Sequence, residues 1–215
     1  MAGETVLMVE GSSDEHVVKA ICGKRQLGKI DVIKPYGGKP GLLEGIPVRL
    51  MESDIAALGI LLDADESLDA SWQAIAARLE GAGYSPVPAS PEVHGTVILP
   101  PDQSLLPRVG VWLMPDNRLP GILEDFLRFL VPQGDPLLAH AEQAINTIPE
   151  GQRRFPDLRR PKALIHTWLL RGIREQVVPH RRRQPMVRVY PLLAQMVGGE
   201  ARHQDLVAGH ADDAA

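Results

Sequence analysis

Four acids stand at the ends of apolar runs in this 215-residue sequence. Glu10 closes "TVLMVE", Asp63 and Asp65 close "LGILLDAD", and Asp116 follows "RVGVWLMP". A buried strand has no structural need for a carboxylate at its last position. In an open parallel sheet, however, ligands bind at the carboxyl ends of the strands, near the point where strand order reverses. Asp63 and Asp65 are two residues apart, so their side chains share a face if the strand persists through both. If the first and third strands are neighbours, Glu10 joins them. Clustered carboxylates without a basic partner repel one another, and the usual resolution is a hard divalent cation such as Mg²⁺ or Mn²⁺. Such an ion orients a phosphate, activates a water and neutralises charge on a leaving oxygen. The competing reading is helix capping, which suffices for Asp69 and competes singly at Asp65 and Asp116.

The elements that must position these acids alternate through the first 130 residues. After "TVLMVE", Ser12 and Glu15 stand at capping-box spacing, and Val17, Val18, Ile21 and Cys22 lie on one helical face that Gly28 closes. "KIDVIKPY" reads as a second strand ending in the turn "GGKPG", and a short helix spans Leu42 to Glu52. "LGILLDAD" is the clearest buried strand. Asp69 then caps a helix with Trp72, Ile75, Ala76 and Leu79 at i, i+3, i+4 and i+7. The proline-rich stretch 84–107 reads as a loop with one extended excursion, "GTVILP". "RVGVWLMPDN" gives a fourth core strand, and "GILEDFLRFLVP" an amphipathic helix through Leu123, Phe126, Leu127 and Leu130. This alternation predicts an α/β fold, Rossmann-like, with a mostly parallel sheet and helices on both faces. Residues 1–150 form the α/β domain. Residues 151–215 form a basic helical or irregular appendage in which "HTWLL" opens a helix and "GHADDAA" is disordered.

Bulk composition fits an ordinary globular protein, with 44% hydrophobic and 23% charged residues. No apolar run approaches the roughly 18–20 residues needed to span a bilayer. The single cysteine, Cys22, rules out an intramolecular disulfide and fits the cytoplasm. The net charge of −4 divides unevenly, into an acidic body and a basic C-terminal segment able to meet a polyanion.

The acids also resemble a known pattern. The TOPRIM domain (topoisomerase–primase type) carries a Glu after its first strand, often as V-E-G-x-x-D, and a D-x-D after its third. Val9-Glu10-Gly11 with Asp14, and Asp63-Ala64-Asp65, match these over roughly residues 4–130. "GVWLMPDN" (Gly110–Asn117) and "G-x-LEDF" (Gly121–Phe126) resemble an uncharacterised bacterial TOPRIM-like family related to the OLD-family nucleases. The resemblance implies a compact parallel sheet and Mg²⁺-dependent cleavage of DNA or RNA. Glu10 would serve as general acid/base or metal ligand, and Asp63 and Asp65 as metal ligands. Asp116 and Glu124 would be outer or second-metal groups, and Lys39 in "GGKPG" would meet a phosphate.

Several alternatives are weaker. Gly23 to Lys29 imitates a P-loop, but Ile30 replaces the Ser/Thr that would hold Mg²⁺, and the segment follows a helix rather than a strand. The chain is too short for a topoisomerase's tyrosine domain, and its scattered histidines offer no zinc module. "ILLDAD" resembles the nucleophile loop of haloacid-dehalogenase-type phosphatases, with Asp63 attacking phosphorus, yet that strand normally opens the fold. The non-catalytic alternative is a TOPRIM-like module partnering an ATPase, and a homodimer is left open.

Overall fold

The computed structural model describes residues 3–25 and 30–172. Five strands form one sheet: β1 (Glu4–Val9), β2 (Val32–Pro35), β3 (Ile55–Asp63), β4 (Thr96–Ile98) and β5 (Arg108–Met114). Their spatial order is β2-β1-β3-β5-β4. The first four in that order run parallel, and β4 pairs antiparallel on β5, with Thr96 opposite Val111 and Ile98 opposite Val109. The fold is therefore the expected α/β class with a mostly parallel sheet. One strand was not foreseen: the excursion "GTVILP" pairs as the edge strand β4. At three residues it is too short to show a period.

Helices α1 (Ser12–Arg25) and α4 (Leu123–Leu130) cover one face, and α2 (Lys39–Leu50) and α3 (Leu68–Gly81) cover the other. Strand side chains alternate between the two. Val6, Met8, Leu58, Ile60, Leu62, Val109, Val111 and Leu113 pack with Leu42, Ile46, Trp72 and Ile75. Leu7, Val9, Leu61, Trp112 and Met114 pack with Val18, Ile21, Leu123 and Phe126. Burial on both faces explains why β1 and β3 read as continuous apolar runs rather than alternating ones. Two further helices, α5 (Pro136–Asn146) and α6 (Arg160–Gly172), bury a smaller cluster of Ala141, Ile145 and Leu164 between them.

Helix starts were the less accurate part of the sequence reading. Asp14, not Glu15, reaches back across the start of α1, accepting from Gly11 N at 3.0 Å. Glu15 pairs with Lys19 instead. Ser67 caps α3 by accepting from Ala70 N, so Asp69 lies inside the first turn. Helix α2 opens at Lys39 rather than Leu42, and "HTWLL" ends α6 rather than opening it. The expectations for Gly28, the arginine-rich stretch and the C-terminal tail fall outside the described residues. Among the described residues, no helix is long and apolar enough to cross a membrane.

Past the carboxyl end of β5, "MPDN" turns the chain sharply. Asn117 adopts φ 59° and its Oδ1 accepts from Leu113 N at 2.7 Å. Gly121, at φ 148°, then pairs with the loop after β3, its carbonyl accepting from Asp65 N at 2.8 Å. A Cβ at Gly121 would stand 2.8 Å from Asp125 Oδ2 and 3.1 Å from Pro115 Cδ. Gly121→Ala should therefore destabilise the protein by about 1–3 kcal/mol, through backbone strain and displacement of Asp125, whose Oδ2 accepts from Ile122 N at 3.0 Å at the start of α4. Urea denaturation measures this directly.

Candidate functional site

The sheet order places the ends of β1 and β3 side by side at its switch point, because β1 connects outward to β2 while β3 lies on its other flank. Glu10 follows β1 and Asp63 ends β3. They meet through the backbone: Asp63 N donates to Glu10 Oε1 at 2.8 Å. The Asp63 carboxylate points toward α4 and accepts from Leu123 N at 2.9 Å, at the positive end of that helix.

Asp65 takes a different direction. The strand stops at Asp63, and Asp65 sits in the left-handed region at φ 53°. Its side chain consequently does not continue the face of Asp63. It reaches instead toward the α2 and α3 side, where Lys39 Nζ donates to Asp65 Oδ2 at 2.8 Å. The same ammonium donates to the Asp63 carbonyl at 3.1 Å and to Ser71 Oγ at 2.7 Å. An ammonium has three N–H donors. All three of Lys39's are thus engaged within the protein.

Two further acids complete the cluster. Asp14 on α1 is 7% exposed and Glu124 at the start of α4 is 5% exposed. Lys162 on α6 lies 3.3 Å from Glu124. Burial, then the charges of Glu10, Asp14, Asp65 and Glu124, push the Asp63 carboxyl up to about 8. Burial also raises Glu10, opposed by the Asp63 N–H and reinforced by Asp65 and Asp14. Asp14 rises for the same first reason, with Glu124 adding to it and Lys162 opposing. Asp116 is engaged differently: its Oδ1 accepts from Arg118 N and Leu119 N, closing its own loop.

Sequence reasoning thus brought Glu10, Asp63, Asp65, Glu124 and Lys39 to one locality. It left out Asp14 as a site residue, although Asp14 stands in the quoted V-E-G-x-x-D pattern. Ser71 carried no signal, lying as it does in an apolar helical stretch. All candidate donors are hard oxygens, the class that binds Mg²⁺. Among the described residues, no three His, Cys, Asp or Glu side chains stand as a preformed metal-ligand set. The chemical fit to such an ion therefore rests on donor type and on charge that Lys39 and Lys162 offset only in part.

Comparison with known families gives one result. Residues 4–171 match the model of a family described as "Protein of unknown function (DUF3226)". The chain belongs to the DUF3226 family. That match begins at the first residue of β1 and ends in the last turn of α6, so it takes in the whole acidic site. No curated protein and no solved structure matches the chain.

The buried acids fix how stability depends on pH. A folded-state carboxyl raised above its unfolded value of about 4 holds a proton that the unfolded chain has lost. Stability therefore falls as pH rises from about 4 toward 8. Asp63→Asn removes this burden while keeping an oxygen for Leu123 N. In metal-free protein it should raise the melting temperature by roughly 3–8 °C at about pH 7.5, with the gain shrinking toward pH 4. Thermal denaturation across that range checks both the sign and the trend.

Proposed function

We propose that this protein hydrolyses nucleic-acid phosphodiesters with the help of Mg²⁺ or Mn²⁺, using a carboxylate site of the TOPRIM type. The observation that carries the reading is the acid cluster at the switch point of a parallel sheet, with Asp14 and Glu124 buried, Asp63 desolvated, and Glu10 and Asp65 adding their charge. The arrangement costs stability at neutral pH, and a structural role gives no reason to keep it. The V-E-G-x-x-D and D-x-D spacing supports the same reading. The lone cysteine suits a cytoplasmic setting.

Glu10 and Asp63 would hold the ion, with Asp14 and Glu124 beside them and Asp65, turned toward Lys39, adding its charge. When bound, the ion supplies Lewis-acid stabilisation of phosphate oxygens and lowers the pKa of a water. The remaining roles belong to the chain itself. Glu10 has Oε1 fixed by Asp63 N, and burial raises its basicity. It is thus suited to take a proton from an attacking water. Leu123 N holds Asp63 against the start of α4, and Lys39 holds Asp65 through its ammonium. The basic residues after 150 would contact the phosphate backbone beyond the site.

Labelled single- and double-stranded DNA and RNA, incubated with Mg²⁺ or Mn²⁺, test this. Cleavage of at least one substrate is expected, reduced at least about 100-fold by Glu10→Gln or Asp63→Asn in folded protein. Substrate binding should weaken steeply with salt. Cleavage unchanged in both variants, or none on any substrate, would contradict the proposal. The second result would favour a binding module.

A further inference from the structure

We propose that the arginines after residue 150 form a nucleic-acid interface that holds phosphates through guanidinium forks, with Arg154 and Arg159 among its contacts. This deepens the nucleic-acid reading above and rests on it. The signal is a change in the kind of cation along the chain. Residues 1–150 carry six arginines and five lysines, whereas residues 151–215 carry eleven arginines and one lysine, Lys162. A role in solubility does not distinguish the two side chains. Phosphate recognition does, because a planar guanidinium offers paired N–H donors to two phosphate oxygens, whereas an ammonium is a point charge.

The structure divides the basic residues of this segment by what they already hold. Arg153 Nη1 lies 3.8 Å from Asp157 Oδ1, and Arg160 Nη2 donates to Asn146 Oδ1 at 2.6 Å. Lys162 meets Glu124 at the acid site. Arg154 and Arg159 are exposed and have no ion-pair or hydrogen-bond partner among the described residues. Arg159 closes the 3-10 turn Asp157–Arg159, which runs straight into α6. It stands three positions before Lys162, a spacing that makes neighbours on a helical surface. A free guanidinium is thus placed beside the lysine that borders the acids.

That placement matters because residues 1–150, with 11 Lys and Arg against 21 Asp and Glu, repel a polyanion as a whole. Cations gathered at the edge of the acid site offset that repulsion where a strand must approach. Phe155 and Trp168, the aromatic side chains among the described residues of this segment, are partly buried against Ala141, Ile145 and Leu164. The contact is therefore to the phosphate backbone and not through base stacking.

Fluorescence anisotropy with labelled DNA and RNA duplexes of about 20 base pairs tests this on the full chain. EDTA is present throughout, so no divalent ion at the acid site takes part. Wild type should bind at least one duplex, weakening steeply between about 50 and 200 mM salt. Arg154→Gln/Arg159→Gln should reduce the slope of log affinity against log salt by about 2. Arg154→Lys/Arg159→Lys should keep the slope and bind several-fold more weakly. Lys19→Gln/Lys34→Gln, which removes two exposed lysines of the acidic body, should change neither. Poly-glutamate, a polyanion without phosphate, should not displace the duplex at matched charge. No binding by wild type, an unchanged slope in the glutamine pair, or the same loss from the body lysines would overturn the inference. So would wild-type affinity in the lysine pair, or displacement by poly-glutamate, which would point to an acidic protein partner. Cleavage with Mg²⁺ is measured separately, so the two readings fail independently.

Discussion

The constraint on which the site depends is electrostatic: buried carboxylates brought together by the topology of a parallel sheet. Strand order puts the ends of β1 and β3 next to each other, and each end carries an acid. Helices α1 and α4 then add Asp14 and Glu124 from the same face. Burial removes the water that would otherwise screen these charges, so Glu10, Asp14, Asp65 and Glu124 add to desolvation in raising the proton affinity of Asp63. The protein compensates in part, with Leu123 N, Gly11 N, Lys39 and Lys162. Asp63 still holds its proton up to about 8. That residual repulsion sets Asp63 apart from an acid that only caps a helix.

Much of the surrounding backbone serves to turn the chain tightly at this edge. Asp65 and Asn117 both adopt left-handed φ, and Gly121 supplies the extended positive-φ step that brings the β5–α4 loop onto the β3 loop. The Asp65 N–H to Gly121 carbonyl bond joins the two loops, and it leaves Leu123 N facing Asp63. Without this junction, α4 would not present its N-terminus to the acid. The acid cluster and the local backbone conformation are thus coupled through a few residues.

How much of this the sequence made legible follows from the range of each interaction. Strands β1, β3 and β5 were readable because burial on both faces leaves continuous apolar runs. The acids at their ends stood out against those runs. The edge strand β4 was too short to announce itself. The direction of Asp65 was hidden because it depends on where β3 stops, and the stop is set by pairing with Gly121. Lys39 was identified as a site residue, but its ammonium is seated by Asp65 and Ser71, twenty-six and thirty-two positions away. Asp14 belonged to the quoted V-E-G-x-x-D pattern but carried no assigned role, because the capping box was read at Ser12 and Glu15. In the structure it accepts from Gly11 N while adding its charge to Asp63.

On the proposed function, Asp63 gives up its proton when a divalent cation binds beside it. The most direct measurement is calorimetric titration of the wild-type protein with Mg²⁺ and Mn²⁺ at about pH 7, repeated in buffers of differing ionisation enthalpy to count protons released. The account predicts binding accompanied by net proton release, with the number released falling as pH is raised past about 8. Absence of binding, or binding with no proton release at about pH 7, would contradict it.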